Sequence, residues 1–194
     1  MASTDHGDVR VERFARNGGI LIAIVGGVVV VAFIVGWAVD MDEVPLWVPA
    51  LALLIGALLY TSTVRPRVLV RGHDLVLRNM VSTTVIPLAA VDELAVRQVL
   101  AVRAGDKRHV CAGVGRSFRQ AVSRSPADPT LNDADYVEIR LQELVNEDRA
   151  RRGVRRYSAE ADELRRQVRR EHAWPEIAAL VATGLFFVVA LILA

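Results

Sequence analysis

The sequence predicts an α+β membrane protein, and three observations carry that prediction. Three uncharged runs, Asn17 to Val39, Val44 to Val64 and Ile177 to Ala194, interrupt a chain that is 24% charged. The stretch between the second and third runs breaks into short β-branched segments separated by turn residues. It ends in a segment whose apolar residues recur at helical spacing. The expected architecture is an N-terminal transmembrane helical hairpin, a small antiparallel β domain capped by a helix, and a C-terminal transmembrane helix. The expected divisions are a tail at 1–16, a hairpin at 17–64 with spans near 18–39 and 44–64, a domain at 65–150, an Arg-rich helical linker at 151–173 and a last span at 174–194.

Composition excludes a simple soluble globule: 53% of the 194 residues are hydrophobic and the mean hydropathy is +0.31. About 20 residues at 1.5 Å each cross the roughly 30 Å of bilayer hydrocarbon, a length that a soluble core helix seldom keeps unbroken. The first run, GGILIAIVGGVVVVAFIVGWAV, carries Trp37 near one end, where an amphipathic ring favours the headgroup level. A cleavable signal peptide is the rival reading, because Arg10, Arg13 and Arg16 precede the run. Its 22 residues from Gly18 to Val39 exceed the roughly 7–15 of a signal's apolar region.

Asp40, Met41, Asp42 and Glu43 connect this run to the second, where Pro45 and Pro49 fall in the first turns and forgo donors a helix start leaves unused. That connector has no Lys or Arg, whereas Arg65, Arg67 and Arg71 follow the second run, so the positive-inside rule places both ends of the hairpin in the cytoplasm. The third run follows Arg165, Arg166, Arg169 and Arg170, with Trp174 and Pro175 at its start, and the same rule sends its end outward. At 18 residues from Ile177 it is short enough to act instead as a weak tail anchor or to pack on the protein. A multi-pass plasma-membrane protein with its N-terminus and residues 65–173 in the cytoplasm is the expected topology.

Within the middle stretch, VLVR (68–71) and LVLRN (75–79) read as strands joined by a turn at Gly72-His73-Asp74. TTVIPL (83–88) reads as a further strand with Pro87 at its end. VDELAVRQVLAVRA (91–104) holds two more, and RHVCAGV (108–114) follows a turn at Gly105. After a Ser-, Pro- and Asp-rich loop (123–129), Val137, Leu141, Leu144 and Val145 form one helical stripe with Asn132 or Asp133 as cap. A second helix from Ser158 is expected to continue through Ala161, Leu164 and Val168 toward the last span.

RPRVLVRGHDLVLRNMVSTTVIPLAAVDELAV resembles the start of the bacterial pleckstrin-homology-like (PH-like) domain of small, mostly actinobacterial membrane proteins. In that family a membrane hairpin ends at an Arg-Pro-Arg junction, here Arg65-Pro66-Arg67. Asp74, Leu75, Arg78 and Asn79 match its first strand motif, and Ile86, Pro87, Val91 and Leu94 match its second. The similarity covers about 65–119. It implies a strongly bent antiparallel sheet closed by a C-terminal helix and used as a binding or scaffolding module.

No catalytic, cofactor-binding or metal-binding constellation is legible. Gly113-Val114-Gly115-Arg116-Ser117 lacks the third glycine of a dinucleotide fingerprint and reads as a turn. Cys111, the single cysteine, excludes an internal disulfide and reads as a small core residue without a neighbouring base. Asp128, Asn132, Asp133 and Asp135 lack the glycine and distal glutamate of a calcium loop, so helix capping accounts for them better. Asp92 and Glu93 are adjacent on a strand and point to opposite faces, which disfavours a carboxylate pair.

Charge is more informative, since residues 65–173 hold 21 basic and 15 acidic side chains, a net +6. The candidate contacts for anionic inner-leaflet lipid or for a partner are Arg65, Arg67 and Arg71, then Arg149, Arg151, Arg152, Arg155 and Arg156, then Arg165, Arg166, Arg169 and Arg170. The first and last groups serve topology equally well. Nucleic acid is not expected as a partner, because a membrane tether separates the patch from most such targets. Small residues at four-residue spacing, Gly19, Ala23 and Gly27, Ala52 and Gly56, and Ala178 and Ala182, are candidate helix-packing positions. The expected function is a non-enzymatic membrane protein whose PH-like domain binds a protein partner or anionic lipid. The alternative is an accessory subunit of a larger membrane complex, held mainly through its spans.

Overall fold

The computed structural model describes residues 11–14, 18–40, 43–115 and 133–194. Their order is β1 (Val11–Phe14), α1 (Gly18–Val39), α2 (Trp47–Leu59) continued by a π-helical turn (Tyr60–Val64), β2 (Arg67–Arg71), β3 (Asp74–Arg78), β4 (Ser82–Pro87) and a 3₁₀ turn (Leu88–Ala90). Then come β5 (Glu93–Val96), β6 (Leu100–Ala104), β7 (Lys107–Cys111), α3 (Asp133–Arg152), α4 (Ala159–Arg166), β8 (Arg169–His172) and α5 (Trp174–Ile192). The chain is thus α+β. It divides into two compact units: one of β1 with Arg67–Arg78 and Thr84–Arg170, the other of Arg16–Pro66, Asn79–Thr83 and Glu171–Ala194.

The strands form two sheets. In one sheet the strand order is β1-β2-β3-β4-β8, and in the other β5-β6-β7. β1 pairs antiparallel with β2 (Val11↔Arg71 to Phe14↔Val68), and β2 with β3 through a turn where Gly72 takes φ 57°. Val68 and Val70, Leu75 and Leu77, and Ile86 meet Leu94, Val96, Leu100, Val102 and Cys111 from the second sheet, while Leu69 and Val76, on the other face of β2 and β3, are buried as well. The stripe Val137, Leu141, Leu144 and Val145 of α3 closes this core. Removing a side chain such as Leu141 would cost about 2–5 kcal/mol, lost transfer energy plus the cavity left behind.

α3 ends in a Schellman-type turn, where the Val154 amide donates to the Arg149 carbonyl at 3.0 Å and Gly153 takes φ 66°. Two expectations are corrected here. The segment before α1 includes a strand rather than tail alone. The linker after α3 is not continuous helix: α4 stops at Arg166 and the chain turns into β8. The expected caps Asn132 and the 123–129 loop, Asp128, Arg116, Ser117, most of the 1–16 tail, and Met41 and Asp42 lie outside the described residues.

The second unit contains three helices, Ile20–Val39, Trp47–Val64 and Trp174–Ile192, that are long and apolar enough to cross a membrane. α2 packs on both α1 and α5. A Cβ on Gly26 would strike the Leu59 side chain, and one on Gly56 would meet that of Val30 at 3.4 Å, so glycine makes room for the facing helix at both points. At the end of α2, the hydroxyls of Thr61, Ser62 and Thr63 donate to the carbonyls of Ala57, Leu58 and Leu59 at 2.5–2.8 Å. This back-bonding satisfies three polar groups within the helix and competes with its regular ladder, which suits the π turn there.

Candidate functional site

The structure sorts the twelve candidate arginines into two populations. Arg65, Arg149 and Arg165 are engaged within the fold. In the helical unit the Arg65 side chain is 9% exposed and donates to Glu176 at 2.6 Å, in the first turn of α5, where a carboxylate also favours the helix N-terminus. In the sheet unit, Arg149 donates from Nε to the Ala89 carbonyl at 3.1 Å and from Nη2 to the Val91 carbonyl, so it holds the 3₁₀ turn.

Asp92, 4% exposed, is the hub of this region. It accepts from the Gly105 amide at 2.7 Å and from Arg165 Nη2 at 2.5 Å, and lies 3.9 Å from Arg149. One carboxylate thereby ties α3, α4, the start of β5 and the β6–β7 turn together. Desolvation by burial pushes the Arg149 guanidinium below its ordinary pKa, with neighbouring Arg156 adding to the effect. For Arg165 burial acts in the same direction, but hydrogen bonds to Asp92 and Asp162 outweigh it and raise the pKa. Glu93, the next residue, is exposed, so the two carboxylates do face opposite ways.

The remaining arginines lie at the surface. Arg67 and Arg71 are exposed at the two ends of β2, and Arg169 and Arg170 are exposed on β8. Arg151 pairs with Glu147 at 3.7 Å, Arg152 with Asp148 at 3.2 Å and Arg166 with Glu163. Arg155 and Arg156 are exposed and have no ion-pair partner among the described residues. Beside them Tyr157, 70% exposed, takes φ 66°, a left-handed conformation, with Arg165 5.8 Å from its ring centroid.

Several residues that position this surface were not anticipated. Arg140 forks onto Glu12, with Nε and Nη2 at 3.2 and 2.8 Å from its two oxygens, and so fastens β1 to α3. That hydrogen bonding raises the Arg140 pKa. His73 and the buried Asp148 form a second such link. The signal for Asp148 and Arg149 was present: extending the stripe from Leu141 through Leu144 and Val145 by three or four residues lands on both.

Of the packing candidates, Ala52 is buried and Gly56 meets Val30, while Ala23 is half-buried. Gly27 has open space beside it, and its neighbour Gly26 is the residue in close approach. Ala178 and Ala182 are exposed, and the side-chain position of Gly19 lies outside the described residues. Cys111 is buried, with Sγ 3.3 Å from the Arg78 carbonyl and 3.8 Å from that of Arg67, and burial pushes its thiol pKa up. Among the described residues no group of three metal-ligating side chains converges. No family model, no curated protein and no solved structure matches this chain.

Proposed function

We propose that this is a non-enzymatic integral membrane protein whose sheet unit is a PH-like binding module held at the cytoplasmic face, where it engages anionic lipid headgroups or a protein partner. One observation carries the reading. β1, four residues before α1, pairs directly with β2, three residues after the π turn that ends α2, and β8, just before α5, belongs to the same sheet. If the three helices cross a bilayer, the flanks of all three must then lie on one side. Those flanks carry Arg67, Arg71, Arg169 and Arg170, and excess arginine favours the cytoplasmic side. Two antiparallel patterns sharing one core with α3 are in keeping with the resemblance at 65–119.

Near an anionic leaflet each such arginine contributes about 1 kcal/mol. The test is the full chain in nanodiscs of phosphatidylcholine with and without phosphatidylglycerol, followed by native mass spectrometry of the retained lipid. Preferential retention of phosphatidylglycerol, reduced by changing Arg67, Arg169 and Arg170 to Gln, supports lipid binding; equal retention in both overturns it and leaves the protein-partner form. That form predicts stoichiometric co-purification under gentle extraction. The accessory-subunit reading has its own support in α1, which leaves Gly27 and Gly36 with nothing beside them and exposes most of its apolar surface.

A further inference from the structure

A trough of about 950 Å³ runs over the β5–β6–β7 sheet. The registers explain its shape. One cross-strand row reads Glu93, Arg103, Arg108, and the next reads Ala95, Ala101, Val110. On an outer sheet face alternation calls for polar residues, yet this second row is apolar; its Ala95 and Ala101 line the trough, and Val110 lies beyond the lining. Alanine is depleted in strands, so its two appearances here do not serve strand formation; they create depth.

The walls are charged. Arg103 faces Glu93 at 3.8 Å, while Arg97 and Arg108 have no ion-pair partner among the described residues. The wall at Arg97 is also fixed in place: the Arg97 amide donates to the Val99 carbonyl at 3.1 Å, and Gly115 lies so close to the Gln98 carbonyl that any Cβ there would overlap it.

We infer that this trough receives a helical segment of a partner protein, with a face of small apolar side chains on the Ala95–Ala101 row and carboxylates on its flanks against Arg97 and Arg108. Strand addition at the β5 edge is disfavoured, because the Val96 amide already donates to Glu138 of α3 at 2.8 Å. A helix laid across the face needs no backbone donor. β5 and β6, at about 3.3 Å per residue, give it roughly 15 Å of floor, enough for about two to three helical turns. Arginines still outnumber the carboxylates Glu93 and Asp106 in the lining, and the two arginines without ion-pair partners supply the charge complementarity that selects an acidic flank. The inference stands apart from lipid binding, which uses other residues.

The test is the full-length protein carrying benzoylphenylalanine at Ala101, irradiated in its native membranes, with cross-linked peptides sequenced by mass spectrometry. Cross-links are expected to converge on one segment of one other protein that has small residues and flanking carboxylates at helical spacing. Arg97→Glu with Arg108→Glu should lower the yield about tenfold, and changing the mapped carboxylates to lysine should restore it. Cross-linking to lipid, to a second copy of this chain or to its own residues 116–132 overturns the inference. So does a yield unmoved by the double reversal, or no cross-link at all. Protection of Cys111 from maleimide verifies that the probe-bearing protein is folded; if it is lost, the same experiment is run from Ala95, on the same row.

Discussion

The two units use the same aliphatic residues in opposite ways. In the sheet unit Val68, Leu75, Ile86 and Leu100 are sealed in one core, whereas along α1 Ile20, Leu21 and Ile24 are each more than half exposed. The sheet unit removes its apolar surface from solvent by folding; the helical unit leaves apolar surface to be covered from outside, as a bilayer covers it. Polar groups follow the same division. Thr61, Ser62 and Thr63 are satisfied by their own helix, while Asp92 gathers donors from elements far apart in the chain. The sheet unit should therefore be most vulnerable at its polar hub, and the helical unit where glycine admits a side chain of the facing helix.

The largest effect is expected at Asp92. Asp92→Asn keeps the volume but removes the buried charge facing Arg149 and leaves Arg165 with Asp162 alone, and breaking a buried pair in this way costs about 3–5 kcal/mol. Cys111 provides the measurement. Its thiol is buried and its pKa is raised, so a thiol-reactive dye should stay dark on the folded protein and brighten on unfolding. A thermal scan should show the Asp92→Asn transition well below that of the parent. An unchanged midpoint would remove Asp92 from its place as the hub.

In the helical unit the matching perturbation is Gly26→Leu, which forces a side chain into the space held by Leu59 and should cost about 1–3 kcal/mol of helix packing. Cysteines placed at Val30 and Gly56 in a Cys111→Ala background would report it: they should oxidise readily in the parent and poorly in the Gly26→Leu variant. The control is Gly27→Leu, whose site is open; equal loss from both would mean that the α1–α2 approach is not the one described.

Much of the sheet unit was legible because its short β-branched segments are separated by turns, two of which carry glycine at positive φ (Gly72 and Gly105), and because the α3 stripe is regular. β1 and β8 were not, for four-residue strands rich in charge have no apolar period and exist through the neighbours they pair with. The arginine runs were misleading for a related reason. In Arg-Ala-Arg-Arg-Gly-Val-Arg-Arg the buried Arg149 and the exposed Arg155 share a composition, and only the helical phase of the core stripe separates them. The glycine pair Gly26-Gly27 poses the same difficulty, since four-residue spacing cannot say which of two adjacent residues faces α2.

A smaller effect is expected from pH. His109 on β7 is held below its ordinary imidazole value of about 6.5 by burial, with Lys107 and Arg170 adding repulsion, and its Nε2 is buried without a hydrogen-bond partner among the described residues. A depressed folded pKa means that protons bind the unfolded chain more readily. His109 should thus cost no stability above pH 6.5, and stability should decline as pH falls from there toward the lowered value. His109→Gln should flatten that part of the profile while leaving the midpoint near pH 8 almost unchanged. A slope that persists in the variant would assign it to other groups.

The smallest effect should come from the arginines that most resemble the hub in sequence. Arg155 and Arg156 are exposed and unpaired among the described residues, so changing both to Gln should move stability by no more than about 0.5 kcal/mol. Arg149→Gln, in the same basic run, strips guanidinium donors from the Ala89 and Val91 carbonyls and should approach the Asp92 effect. The pair of variants tests the sorting itself. Were Arg155 and Arg156 to destabilise the fold as strongly as Arg149, the division between arginines buried in the sheet unit and arginines at its surface would be lost.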